Sequence, residues 1–352
     1  MSIVSILVAV AVFFVIVVLH EFGHFAVAKL CGVKVNEFAV GMGPVLLKHK
    51  KGETQYSIRA LPIGGFCAME GEDGTSDNPR AFSRKSVPQR LAVVFAGPIM
   101  NLILGFLLII CTTLLYGDIA TLKIAEFRTN PDTGEVTAMS AQTGLQVGDE
   151  ILRIDGMRIL TDSDLSYKLT STEAETMELV VLRDGKKVTL PAVQFYNTYT
   201  QGRLDFYVHA EPLTFFGVIR YSFLDTISTG RLIWSSLRDL ITGKYGFHDL
   251  SGPVGIVTTI GEAVSYGETF RQHLLSVLSL ASFITINVGI FNLLPIPALD
   301  GARIVFLLVE AIRRKPVPPE REGMVHLAGM ALLMLLMIAV TAQDILRLIQ
   351  GG

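Results

Sequence analysis

The feature that most constrains this chain is a run from Ile3 to about Val18 without a single charge. Three more apolar stretches follow: Leu91 to Tyr116, also uncharged, about Leu274 to Leu299, and about Met324 to Val340. A bilayer crossing takes roughly 20 residues of helix. In hydrocarbon only helices and closed barrels satisfy their own backbone groups, so four such stretches specify a helical membrane protein. Composition agrees: 50% of the 352 residues are hydrophobic and only 18% charged, against about 25% charged in soluble domains. The expected class is a polytopic α-helical membrane protein with four transmembrane helices, the lipid bilayer being its first partner. A net charge of −2 supplies no basic field for nucleic acid, which is excluded as a partner. Cys31, Cys67 and Cys111 form no CxxC pair and are expected as free thiols. No Lys or Arg precedes Lys29, so the first run is expected to be a retained span rather than a cleaved signal peptide.

Orientation follows from the excess of Lys and Arg in short cytoplasmic loops. The segment from Lys29 to Arg90 carries Lys34, Lys48, Lys50, Lys51, Arg59, Arg80, Arg84 and Lys85, and the connection after the third span carries Arg303, Arg313, Arg314, Lys315 and Arg321. Both are expected in the cytoplasm, with both termini and the long central segment outside. Phe215 to Ile241 is apolar but interrupted by Arg220, Asp225, Arg231, Arg238 and Asp239. Charges at that density are costly at a bilayer centre, so this segment is expected as an interfacial amphipathic helix.

Between the second and third spans the composition turns ordinary. Met177–Leu190 reads as two strands joined at Asp184-Gly185, a strong hairpin signal. Ala141–Gly156, AQTGLQVGDEILRIDG, reads as short helix, turn, strand and tight turn. This string resembles the PDZ signature; PDZ folds capture extended peptides by strand addition, so a peptide or substrate tail is an expected partner. The expected division is residues 1–116 (first membrane half), 117–212 (an extracytoplasmic α/β PDZ-like domain), 213–273 (the interfacial segment) and 274–352 (second membrane half). In the first half, residues 33–66 read as short strands, Val35–Val40, Val45–His49 and Gln55–Ala60, around Gly-rich turns: a membrane-associated β-hairpin region. Its Gly41 and Gly43 are candidate substrate-binding positions if an open edge pairs with an extended peptide; a meander that only covers the span ends is the alternative.

The chemistry lies in His20-Glu21-Phe22-Gly23-His24, an HExxH motif. Spacing of i, i+4 puts both imidazoles on one helical face, where they can bind one Zn²⁺, and Glu21 can take a proton from its water. Two histidines leave one protein ligand missing from a catalytic zinc site. The third span runs parallel to the first and ends in Asn292-Leu293-Leu294-Pro295-Ile296-Pro297-Ala298-Leu299-Asp300-Gly301. That direction brings Asp300 to the same cytoplasmic end. Pro295 and Pro297 break the helix, and irregular backbone at membrane depth is tolerated only against protein or a wet cavity; both prolines are candidate substrate-binding residues.

HExxH in the first span, NxxPxPxLDG in the third and a PDZ-like segment between them resemble the site-2 proteases, specifically the bacterial RseP/RasP-like intramembrane zinc metalloproteases with one PDZ domain. Ala96-Gly97-Pro98-Ile99-Met100-Asn101 and Ser251-Gly252-Pro253-Val254-Gly255-Ile256 fit as well. The resemblance implies His20, His24 and Asp300 as Zn²⁺ ligands and Glu21 as catalytic base. It also implies that Asn292 helps hold the substrate or the developing oxyanion. The implied activity is regulated proteolysis of membrane-spanning substrates, single-span proteins such as anti-sigma factors or signal-peptide remnants. Room for one PDZ domain rather than two points to the Gram-positive-like branch. A non-proteolytic zinc-binding scaffold that recruits partners through the PDZ-like domain is the alternative, disfavoured by the presence of Glu21. His49, His209, His248, His273 and His326 lack ligand spacing and are expected to be structural.

Overall fold

The computed structural model describes residues 3–350 other than 73, 75, 173, 201, 245 and 247–249; His248 lies outside the described residues. The chain divides into two compact units, Met1–Leu108 with Leu237–Gly352, and Ile109–Ser236.

In the first unit, α1 (Ile3–Leu30), α2 (beginning at Val87 and running to Tyr116), α7 (Phe270–Asn292) and α9 (Pro319–Gln350) are long and apolar enough to cross a membrane. The helix that begins with the apolar stretch continues through the HExxH motif to Leu30, so both histidines lie inside an unbroken helix with turns on either side. α1 and α2 approach closely at Gly23, where a Cβ would lie 2.3 Å from the Ala96 carbonyl oxygen; small residues at such crossings let helix backbones meet. α6 (Pro253–Ser265) joins α1 and α7 around Ala9, Ile16, Ile260 and Ile284.

The third span differs from expectation. α7 opens with a capping box, Thr269 accepting from the Gln272 amide, but it stops at Asn292. Leu293–Leu299 is irregular, and Asp300 begins a separate helix, α8 (Asp300–Arg313). Pro295 and Pro297 lack the amides a helix would need there. The basic connection between the third and fourth spans is therefore largely helical. Ile304 and Leu307 of α8 pack with Ala28, Val33, Phe82 and Val93 in one core.

The region after α1 also departs in detail. It forms two long antiparallel strands, β1 (Val35–Lys51) and β2 (Thr54–Met69), rather than three short ones. The strands bend instead of ending: Val40 is in register with both Ile58 and Gly65, and Ile58 with both Val40 and Leu47. Gly41 (φ +86°), Gly43 (φ +82°) and Gly64 (φ +83°) supply the left-handed backbone at these bends.

The second unit holds a six-stranded sheet of order β7-β6-β4-β3-β8, with β5 paired to β4. Its strands are β3 (Asp118–Phe127), β4 (Glu150–Ile154), β5 (Met157–Arg158), β6 (Met177–Arg183), β7 (Lys186–Val193) and β8 (Phe206–Pro212). With the helices α3 (Met139–Gln142) and α4 (Asp162–Ser171), the sheet encloses a core that includes Ile124, Ile151, Leu169, Leu179 and Phe206. Asp184 (φ +49°) and Gly185 (φ +75°) form the two-residue turn between β6 and β7, the doubly positive φ that a type I′ hairpin needs.

Phe215–Ile241 is one helix, α5. Two of the charges that interrupt it are occupied within the second unit: Asp225 accepts from the Thr161 hydroxyl at 2.9 Å, and Arg231 reaches Asp164 at 3.3 Å. Tyr221 donates to Asp162 at 2.7 Å. Phe215, Phe216, Phe223 and Trp234 remain exposed.

Burial, opposed by a hydrogen bond from Ser163 and reinforced by the Asp162 charge, pushes Asp225 up to about 6. A carboxyl whose folded value exceeds its unfolded one stabilises the fold when protonated, and that contribution is lost as pH rises from about 4 to about 6. Asp225→Asn, neutral throughout, is therefore expected to stabilise the second unit more at about pH 7 than at about pH 4. Thermal unfolding of the full chain at the two pH values, read by hydrogen exchange of residues 109–236, checks this.

Candidate metal centre

On α1 the four-residue spacing sets the two imidazoles edge to face, ring centroids 4.8 Å apart, with their Nε2 atoms 3.2 Å from each other. Asp300, the first residue of α8, closes the group. Its Oδ2 lies 3.1 Å from Nε2 of His20 and 3.4 Å from Nε2 of His24. Among the described residues, these three are the group of His, Cys, Asp and Glu side chains placed to hold one metal ion.

The outward nitrogens are held by α2. Nδ1 of His24 donates to the Val93 carbonyl at 2.8 Å, and Nδ1 of His20 lies 3.2 Å from the Asn101 amide nitrogen. The Asn101 Oδ1 is buried without a hydrogen-bond partner. The oxygen and nitrogen of such an amide are near-isosteric and exchange places by a half-turn of the side chain. Exchanging them gives Oδ1 a donor, the Nδ1–H of His20, and turns the Nε2 lone pair inward. Both imidazoles then present lone pairs to one point. Between the two supports, a Cβ on Gly97 would lie 2.3 Å from Nε2 of His24 and 2.9 Å from Cε1 of His20. Val93, Gly97 and Asn101 are spaced four apart, one stripe of α2 facing the HExxH stripe of α1.

These distances suit zinc. Bonds of 2.0–2.1 Å in a tetrahedron place ligand atoms about 3.3 Å apart, and the separations here are 3.1, 3.2 and 3.4 Å. Lone pairs this close repel one another unless a cation or proton lies between them. Two imidazoles and one carboxylate are also the ligand set of a catalytic site that keeps a position open.

The group opens into a cavity of about 690 Å³ that Glu21 and Asn292 also line. Part of its wall is the Gly64–Met69 segment of β2, which runs close to the motif: a Cβ on Gly65 would lie 3.4 Å from Cγ of Glu21. Cys67 is on that wall. Burial, with Glu72 and Glu21 nearby, pushes its thiol up to about 12, so in the metal-free protein it stays protonated at neutral pH. Arg303 of α8 pairs with Glu72 at the same cavity.

The sequence-predicted residues thus fall into two sets. His20, Glu21, His24, Asn292 and Asp300 meet at one cavity. Gly41, Gly43, Pro295 and Pro297 are not among its lining residues. The two glycines form the bend of β1, Gly41 so tightly that a Cβ would lie 2.6 Å from the Leu61 carbonyl oxygen. Pro297 packs against Gly329 of α9. The wall is instead built from β2 and from Ala298 and Leu299. Sequence reasoning had no role for Val93, Gly97 and Asn101 as supports; their four-residue spacing, with Gly and Asn inside an uncharged span, was the available signal.

A family model described as Peptidase family M50 matches residues 8–336. A protein of Clostridium acetobutylicum provisionally named a zinc metalloprotease is 38% identical over 354 residues, 98% of each chain. The Regulator of sigma-W protease RasP of Bacillus subtilis is 31% identical over 426 residues, covering 96% of this chain and 97% of that relative. The zinc metalloprotease RasP of Geobacillus kaustophilus is 31% identical over 425 residues, 97% of each.

Asn101→Leu removes the support for His20 while keeping side-chain volume close. Losing such a partner typically weakens metal binding 10–100-fold. Chelator competition against the purified protein is expected to show that loss.

Proposed function

The chain belongs to peptidase family M50, and on that footing we propose that His20, His24 and Asp300 hold the zinc of this membrane metallopeptidase, with Glu21 as its general base. What carries the reading is the convergence of two Nε2 atoms and one carboxylate oxygen at 3.1–3.4 Å beside Glu21. When bound, zinc supplies Lewis-acid activation of water and of the scissile carbonyl. Glu21 takes the proton of the attacking water and passes it to the leaving amine nitrogen. Asn292 at the cavity wall is the side-chain amide available to the carbonyl oxygen as charge develops on it. Asn101 and the Val93 carbonyl hold the imidazoles in the ligating tautomer.

The substrate is a membrane-spanning protein whose helix unwinds near the cavity. The Gly64–Met69 segment of β2 is the proposed strand against which the unwound peptide lies, an extended shape that exposes the scissile bond. The Bacillus subtilis relative is named a regulator of sigma-W protease. On that likeness the proposed substrates are single-span proteins, anti-sigma factors and signal-peptide remnants among them. Residues 117–212 are proposed as a PDZ-like domain that receives or gates a substrate tail. In the proposed orientation Lys50 and Arg314 face the cytoplasm and Asp184 the outside. Cysteine substitutions there, probed with a membrane-impermeant thiol reagent on intact cells, should label at 184 only; labelling at 50 and 314 alone would reverse it.

Glu21→Gln keeps size and removes the base. A general base contributes typically 10²–10⁴-fold, so cleavage of a single-span substrate is expected to fall by at least about two orders of magnitude while zinc content stays at the wild-type level. Mass spectrometry of the products and elemental analysis of the variant measure both. Wild-type cleavage by the zinc-loaded variant would rule out the proton transfer assigned to Glu21.

A further inference from the structure

We infer that His326, on α9, is a positioning residue for Asp300: it fixes the turn that delivers the carboxylate to the two imidazoles. This rests on the proposed metal site and extends it to the fourth span.

Between α7 and α8 the chain must turn within Leu293–Leu299. Most of its amides are satisfied locally: Leu293 donates to Ile290, Leu294 to Phe291, Ile296 to Leu294 and Leu299 to Ile296, all at 2.7–3.1 Å. Pro295 and Pro297 have no amide. The Ala298 amide instead crosses to another element and donates to Nδ1 of His326 at 3.0 Å. Ala298 is also where the backbone is strained, with φ of +77°. That region is disfavoured for a residue with a Cβ, so it persists only where surrounding contacts impose it.

Three observations show that the turn is held by the helices on either side of it. Gly329, three residues beyond His326, lies against the neighbouring residue of the turn: a Cβ there would be 2.1 Å from Cβ of Pro297 and 2.9 Å from its carbonyl oxygen. One face of α9 therefore receives Pro297 and Ala298 together. The His326 ring is flanked by Phe306 of α8 at 5.8 Å, and the Glu322 carboxylate lies 3.8 Å from its Nε2. A negative charge on that side favours the proton on Nε2, leaving Nδ1 as the acceptor Ala298 needs. On the far side the turn folds directly onto α8, since a Cβ on Gly301 would lie 2.0 Å from the Leu294 carbonyl oxygen. The turn is thus clamped between α8 and α9, and Asp300 is two residues from the clamped amide. Ala298 and Leu299 line the same cavity as Asp300, so slack in the turn moves a cavity wall and a ligand together.

The test uses the full-length protein in detergent. His326→Phe keeps a ring in place and removes the acceptor; His326→Asn puts an amide oxygen near the position of Nδ1. Ala298→Gly removes the conformational penalty itself. His326→Phe is expected to weaken zinc retention against a chelator 10–100-fold, the usual effect of losing a ligand's support, and to speed hydrogen exchange of the Ala298 amide in the metal-free protein. His326→Asn should restore both, and Ala298→Gly in the Phe background should restore zinc retention without restoring amide protection. Wild-type retention in His326→Phe, or equal impairment in the Phe and Asn variants, overturns the inference. If His326→Phe melts early, the double variant decides: recovery of zinc supports the clamp, and no recovery rejects it. Asp300→Asn separates this from the metal-site reading. Unchanged zinc in Asp300→Asn rejects Asp300 as a ligand, whereas zinc lost there and kept in His326→Phe rejects only the positioning role.

Discussion

Two imidazole lone pairs and a carboxylate aimed at one point repel one another, so their convergence within 3.4 Å must be imposed by the surrounding structure. The contact that imposes it is the crossing of α1 and α2. Gly23 lets α1 touch the Ala96 carbonyl, and Gly97 leaves the space that the imidazole edges fill. A methyl at either position forces the helices or the rings apart by more than a ligand bond tolerates. At that distance Val93 and Asn101, one turn to either side of Gly97, reach the outward nitrogens of the same rings. The core of Ala28, Val93, Ile304 and Leu307 then ties α8, and with it Asp300, to the same pair of helices.

What was legible in the sequence is what local chemistry determines. HExxH specifies two imidazoles on one face because helical geometry leaves no alternative, and the uncharged runs specify spans because the bilayer leaves none. Asp184-Gly185 specifies its turn because few other pairs accept two positive φ angles. The supports on α2 were not legible. Gly97 and Asn101 have meaning only once α1 is known to lie against them, and a hydropathy pattern does not record which span neighbours which. The end of the third span was misplaced for a related reason: Leu293–Leu299 is as apolar as the helix before it, and only the missing amides of Pro295 and Pro297 mark the change. The β region erred in the other direction. Its glycines read locally as strand ends, whereas strands that bend at a glycine keep their register partners on both sides, as Val40 does.

The charges of α5 illustrate how an amphipathic pattern leaves its partner undetermined. Arg231 and Asp225 read equally well as headgroup contacts or as protein contacts. Within the second unit they bond to Asp164 and Thr161 at the start of α4, and the aromatic residues Phe215, Phe216 and Trp234 remain outside. An apolar stretch broken by charges marks the helix and its bounds; only the neighbouring helix terminus shows which polar groups are used internally.

Hydrolysis of a peptide bond at membrane depth must overcome two obstacles, the scarcity of water and the helical shape of a membrane-spanning substrate. Under the proposed function both are met by places where regular structure is interrupted. The break after Asn292 removes helical backbone from beside the ligands and leaves a cavity, and a wet cavity is the setting in which such a break is affordable. At the same cavity β2 brings extended backbone to within a few ångströms of Glu21 at Gly65, where a side chain would fill the gap. An unwound peptide forfeits its helical hydrogen bonds, and the cheapest replacement is a strand that already lies in the extended conformation. Under that proposal Gly65 and the proline break after Asn292 make room for water and substrate, and the close packing of α1, α2 and α8 supplies the rigidity they surrender.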